Sequence, residues 1–212
     1  CLDSVINQTL KDIEIICVND GSTDKSLSIL QEYAQNDNRI CIINQQNQGL
    51  SCSRNNAMKI AKGRYILFLD SDDWIREDAC QLLYERCYKY SIDMLHFAGI
   101  NYDETTQQYI QLKAQQILYT NPDIPYYDKN ALNKFIEYIP ISACRFFYKR
   151  AFLEKHNILF PEKINFEDNY FVRKALIFAE RFAAEKEVLY FRRVHSSSIT
   201  QNMSKFFADY IT

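Results

Sequence analysis

Residues Tyr65 to Trp74 read YILFLDSDDW. An apolar run, Tyr65 to Leu69, ends in Asp70, Asp72 and Asp73. A short apolar run with a polar boundary reads as a buried strand. Three carboxylates packed this closely repel one another, so the strand tip needs something to divide them. In open α/β sheets ligands bind beyond the carboxyl ends of the strands. Two carboxylates at positions i and i+2 can meet one hard cation such as Mg²⁺ or Mn²⁺, which keeps further sites open for water and phosphate oxygens. One helix cap would account for one of these aspartates, not for all three.

The flanks of this stretch repeat its pattern. IEIICV (13–18) is a β-rich apolar run, followed by NDGSTD and a helix from Asp24, as cap, to about Gln35. ICII (40–43) is a second strand. Ser51 is placed to cap a helix running to Ala61, with Gly63 as its stop. After the acidic tip comes a helix over 77–90 and then the strand IDMLHF (92–97). Strand and helix alternate with short connections, which predicts an α/β fold: a mostly parallel sheet covered by helices.

The second half is less regular. QQYIQL (107–112) alternates like a strand, and 121–127 reads as a Pro-containing loop. Asp128 is placed to cap a helix to about Tyr138, CRFFYK (144–149) reads as a strand, and 151–156 as a short helix. NFEDNYFVRKALIFA (165–179) is a strong helix with Asn165 as its N-cap, and EVLYFRRV (187–194) is a last strand before the polar HSSSIT. No repeat, low-complexity tract or linker divides the chain, so 1–212 is expected to form one domain.

Composition narrows the classes. The 212 residues carry a formal net charge of -2, with 47% hydrophobic and 25% charged residues. This is a globular balance without the basic surplus of a nucleic-acid binder. The 7 cysteines include no CxxC pair and no zinc-ligand spacing. They are expected to be free thiols, mostly buried, in a reducing, cytoplasmic compartment. No apolar run reaches the ~18 residues of a membrane span, so any membrane contact is expected to be peripheral, at the inner face. The chain opens on CLDSVINQTL, where Leu2, Val5, Ile6 and Leu10 fall at helical spacing, and no initiator Met is present. A preceding segment is therefore expected.

Other candidate site residues follow from their settings. Asp20 ends the first strand before Gly21, where a carboxylate can accept a hydrogen bond from a base or ribose, or simply belong to an Asp-Gly turn. Arg54 lies in the first turns of a helix opened by Gly49, a setting suited to phosphate or to a solvent-facing side chain. Glu167 and Asp168 open a helix among aromatic residues. They either complement its dipole or place one carboxylate in a cleft as a general base. His195 follows the last strand beside Arg192 and Arg193, where it could ligate a metal, touch phosphate or be an ordinary surface residue.

The order of VNDGSTD, NQGLSCSRN, YILFLDSDDW, FEDNYF and RRVHSSSIT resembles a family 2 glycosyltransferase with the GT-A fold, over nearly the whole chain. The resemblance implies a Rossmann-like GT-A domain whose first strand lies before residue 1. Residues 1–100 would form the nucleotide-sugar half and 101–212 the acceptor half. It also implies an inverting transferase that uses a nucleotide-diphosphate sugar, here a UDP-sugar, with Mn²⁺ or Mg²⁺. The acceptor would be a saccharide or glycoconjugate, in polysaccharide biosynthesis. On this resemblance Asp20 binds the uracil edge and Arg54 lies along the nucleotide. Asp70 approaches the ribose, Asp72 meets the metal and Asp73 sits near the donor sugar. Asp168 is the base that takes the acceptor proton, and His195 sits near the diphosphate or metal. Ser53 stands where the family's Ala precedes the Arg. Two other classes compete: a non-catalytic nucleotide-sugar or metal-binding domain, and a sugar nucleotidyltransferase, which would need a Gly-rich basic loop not found here.

Overall fold

The computed structural model describes residues 1–110, 126–133 and 141–195. The helices are α1 (Leu2–Ile6), α2 (Ser26–Asn36), α3 (Leu50–Ile60), α4 (Ala79–Tyr90), α5 (Lys129–Asn133), α6 (Arg150–Lys155) and α7 (Glu167–Phe178). The strands are β1 (Ile15–Asp20), β2 (Ile40–Gln45), β3 (Tyr65–Leu67), β4 (Trp74–Ile75), β5 (Met94–Asp103), β6 (Gln108–Ile110), β7 (Phe146–Lys149) and β8 (Phe182–Val194). The expected strand and helix at 107–112 and 128–138, and the HSSSIT tail, lie partly outside the described residues.

The alternation of strand and helix up to residue 97 is present, but the mostly parallel sheet is not. Among the described residues β1 and β2 form a two-stranded parallel sheet of their own. The other strands form a six-stranded mixed sheet in the order β3-β7-β5-β8-β4, with β6 on β5. Only β5 and β8 run parallel in it, and the remaining pairs are antiparallel. The reason is non-local pairing. β3 takes β7, a strand some eighty residues on, instead of a neighbour from its own βα units.

Local boundaries shift for identifiable reasons. The α3 N-cap is Gly49 at φ 88, not Ser51, which lies inside the helix. The α7 N-cap is Phe166 at φ 58, not Asn165, so Asp168 is the second helical residue. β8 begins at Phe182, ahead of the expected 187, because its early half pairs in parallel with β5, from Met94 beside Phe182 to Phe97 beside Glu185. Residues 143–145 form a 3-10 turn before β7. α1 ends at Ile6, short of Leu10. All seven cysteines are free, but only Cys80, Cys87 and Cys144 are buried, fewer than expected.

The hydrophobic core belongs to the mixed sheet. Leu95, Phe97, Phe146 and Phe182 from its strands pack with Leu83 from α4 and Phe171 and Leu176 from α7. Phe68, just before the acidic tip, meets Tyr148, Phe160 and Phe171 edge-on. That packing fixes the strand end from which Asp70, Asp72 and Asp73 project.

Candidate active site

A cleft of about 840 Å³ runs between β1 and β3, with α3 on one side and the end of β8 on the other. Its walls include Asp20, Arg54, Asp70, Asp72, Asp73 and His195. Six of the seven residues singled out from the sequence therefore line one cavity. Asp168, the seventh, reaches it through Arg54, whose Nη1 donates to Asp168 Oδ1 at 2.7 Å.

The three tip aspartates take different partners, from α3, from β8 and from the residue just past it. Asp70 Oδ1 accepts from Arg54 Nη2 of α3 at 2.9 Å. Asp72 Oδ2 lies 3.3 Å from His195 Nε2, just past β8, and its side chain is 48% exposed. Asp73 is 3% exposed. Its carboxylate accepts from the Tyr190 hydroxyl and from the Arg193 amide of β8. Burial pushes the Asp73 carboxyl up to about 6, with Asp72 and Asp70 adding to the rise and the Tyr190 and Arg193 hydrogen bonds opposing it. Asp73, expected toward a donor sugar, is thus an inward carboxylate that ties the tip to β8. Arg193 adds a second tie, donating from Nε to the Asp72 carbonyl at 3.1 Å.

At the other end of the cleft Asp20 holds a loop. Oδ1 accepts from Gln45 Nε2 at 2.8 Å and Gln48 N at 2.9 Å, and Oδ2 accepts from Gly49 N at 2.8 Å. Desolvation pushes this carboxyl up, but the hydrogen bonds from Gln45, Gln48, Gly49 and Ser53 together outweigh it and hold the pKa below the usual range. Gly21, at φ 73, permits the turn, and a Cβ there would meet Asn47 N at 2.7 Å.

Arg54 joins the tip to α7. It is 8% exposed. Besides Asp70 and Asp168 it donates to Glu167 Oε1 at 3.2 Å and to Cys144 Sγ at 3.7 Å. Its guanidinium lies 5.0 Å from the Phe160 ring centroid and 6.0 Å from that of Phe68. Burial disfavours the cation, but the charges of Asp168 and Asp70 more than offset it, so its pKa moves up. Glu167 is pushed up, first by burial and then by Asp168 and Asp70, with Arg54 opposing. Asp168 Oδ2 accepts from Ala143 N at 3.0 Å, so both carboxylate oxygens are held.

Several residues of this arrangement escaped the sequence. Ala143 contributes only its backbone, Tyr190 reads as one aromatic of an apolar strand, and Cys144 as core. Glu167, by contrast, was named with Asp168 from its place at a helix start. Among the described residues no group of three or more His, Cys, Asp or Glu is placed to hold a metal unaided. Nor is any helix long and apolar enough to cross a membrane.

An acidic strand tip joined through a buried arginine to a helix-borne carboxylate, at the wall of an α/β cleft, defines a class of sites suited to charged, oxygen-rich ligands. The model of the family described as glycosyl transferase family 2 matches residues 1–156. The chain belongs to that family. It is 38% identical over 95% of its length to the uncharacterized glycosyltransferase EpsJ of Bacillus subtilis (strain 168), of which it spans 58%. It is 33% identical to the poly(ribitol-phosphate) beta-glucosyltransferase of Bacillus spizizenii, over 90% of this chain and 29% of that protein. The fold matches S. aureus TarS 1-349 in complex with UDP-GlcNAc with a TM-score of 0.78 at 22% identity, over 95% of this chain and 56% of that one. The chain therefore spans little more than half the length of EpsJ and of that TarS chain.

Proposed function

We propose that the protein is a metal-dependent, inverting glycosyltransferase that moves a sugar from a UDP-sugar to a saccharide or glycoconjugate acceptor in polysaccharide assembly. The observation that carries this reading is the meeting of the acidic tip and Asp168 at a single buried arginine, Arg54, on the wall of one cleft. Family membership and the UDP-GlcNAc bound to TarS, a fold neighbour, support it. Residues 1–100 would supply the donor side and 101–212 the acceptor side.

An inverting displacement at the anomeric carbon needs a base on one face and a stabilised diphosphate on the other. Asp168 is assigned the base. Its oxygens accept from Arg54 and Ala143, and a carboxylate has further lone pairs to receive the acceptor hydroxyl proton. Asp20 is assigned the uracil edge, in the orientation that Gln45, Gln48 and Gly49 give its carboxylate. Asp70 is assigned the ribose, Arg54 a place beside the nucleotide, and Asp73 the fixing of the tip below the donor sugar. Asp72 and His195 would hold the cation, with diphosphate oxygens and water completing the shell. A carboxylate with an imidazole fits Mn²⁺ better than Mg²⁺, which prefers oxygen throughout. A bound cation would stabilise the charge of the departing diphosphate.

The test is calorimetric titration of UDP with and without Mn²⁺. Wild type should bind UDP at least 10-fold more tightly with Mn²⁺, and Asp72→Ala should abolish that gain. Equal Mn²⁺ dependence in the two proteins would sink the metal assignment.

A further inference from the structure

α3 is built inside out. It buries Ser51, Ser53, Arg54 and Asn55 and exposes Leu50 (51%) and Ile60 (42%). A helix that turns polar side chains inward must satisfy each of them. Asn55 does so by clasping the backbone of Phe160, donating to its carbonyl at 2.8 Å and accepting its amide at 2.9 Å. This holds the Phe160 ring against the Arg54 guanidinium. Arg54 is therefore fixed by its neighbours as well as by its ion pairs.

The two terminal nitrogens of Arg54 carry four N–H bonds. Nη1 is directed to Asp168 and Glu167, and Nη2 to Asp70 and Cys144. Four acceptors thus match the four terminal donors, and no terminal N–H remains for a phosphate or base. A terminal N–H that gripped the nucleotide would have to leave Asp168, Glu167, Asp70 or Cys144.

We propose that Arg54 is a positioning residue for Asp168. It fixes the carboxylate from the Oδ1 side while Ala143 N fixes Oδ2, and it couples the base to Asp70 at the acidic tip. Asp168 then approaches the acceptor hydroxyl in one orientation, set from the donor side of the cleft. This inference rests on Asp168 acting as the base and replaces a direct nucleotide contact for Arg54.

The experiment uses the full-length protein with UDP, Mn²⁺, UDP-glucose and UDP-GlcNAc. Arg54→Lys keeps the charge but cannot bridge four acceptors. Donor turnover should fall roughly 10- to 100-fold while UDP affinity stays within about twofold. In an Asp168→Asn background the same substitution should cost less than about twofold further, because residues that act as a unit are not additive. Parallel losses of UDP affinity and turnover, or full additivity with Asp168→Asn, would overturn the proposal. Unchanged turnover in Asp168→Asn alone would remove the base assignment and this inference with it. A loss there combined with lost UDP affinity in Arg54→Lys would remove this inference only. A crystal structure of the unsubstituted protein with UDP needs no variant to fold. Arg54 should still bond Asp168, and a guanidinium nitrogen within hydrogen-bond reach of the nucleotide would refute the assignment.

Discussion

The two sheets differ in depth. In the mixed sheet β5 buries Met94 through Gly99 without a break, and the core cluster gathers around it. In the small sheet, among the described residues, β1 buries only Ile15 and Asn19, β2 buries only Ile40, and α2 has no buried residue. The tip aspartates, His195 and Asp168 stand on or beside the deep sheet, whereas Asp20 and its loop stand on the shallow one. A charge that must be held within about half an ångström of its reaction geometry gains from rigid support. A loop that admits a nucleotide gains from being easy to move. On the roles proposed above, the division would put the base and the cation on the rigid side and the uracil contact on the adaptable side.

The strongest way to break that division is to remove one carboxylate from each side. Asp168→Asn should lower turnover by about two to four orders of magnitude, which corresponds to about 3–5 kcal/mol in the barrier, and leave UDP affinity unchanged. Asp20→Asn should do the reverse. UDP affinity should fall by about 10- to 150-fold, as expected for a hydrogen bond to a charged group, with turnover at saturating donor nearly intact. Steady-state kinetics paired with calorimetry would decide, and a loss of turnover from Asp20→Asn at saturation would erase the distinction.

The second contrast concerns stability. Phe171 is fully buried on α7, stacked on Phe160 with ring centroids 3.8 Å apart. Phe171→Ala should cost about 3–5 kcal/mol through lost contacts and the cavity left behind. Ile42 on β2 is only half-buried, and Ile42→Ala should cost about 1 kcal/mol. Denaturant unfolding measures both, and amide exchange should be faster in β1 and β2 than in β5 and β7. Equal costs would mean that the small sheet is as firmly packed as the large one.

What was legible in the sequence follows the range of the forces involved. The strand ending at the acidic tip and the helix after it are set by local apolar spacing and by the Asp cluster itself, and both are present. Sheet partners are set by contacts between distant segments. Nothing within Tyr65–Leu67 announces that Phe147–Lys149 will lie beside it antiparallel, so a mostly parallel sheet was expected. α3 defeats periodicity for another reason, since its buried face is polar. Hydropathy alone sends Leu50 inward and Arg54 outward, opposite to their places. The site residues were legible as chemistry because carboxylates at strand and helix ends are few. Their division among partners was not, since it depends on Tyr190, Arg193 and Ala143, whose roles come from position alone.

The smallest effect is expected where the shallow sheet is tied to α1. Arg39 donates from Nη2 to Asp37 Oδ2 at 2.6 Å and to the Ile6 carbonyl at 2.8 Å. Hydrogen bonds from the Arg39 side chain and amide hold the Asp37 carboxyl down at about 2, against a usual 3.8. The folded pKa lies below the unfolded one, so the unfolded chain binds the proton first as pH falls. The stabilisation is therefore complete above about pH 4 and disappears as pH falls through 2. Asp37→Asn should melt below wild type at pH 7, and the gap in Tm should narrow below pH 4 and close near pH 2. The pair lies near the surface, so the gap should also shrink at high salt. A gap that stayed constant from pH 7 to pH 2 would mean that the carboxylate's charge contributes nothing. The tie between the shallow sheet and α1 would then rest on contacts that do not need this charge, such as the Arg39 bond to Ile6 and the Tyr33 bond to Asp3.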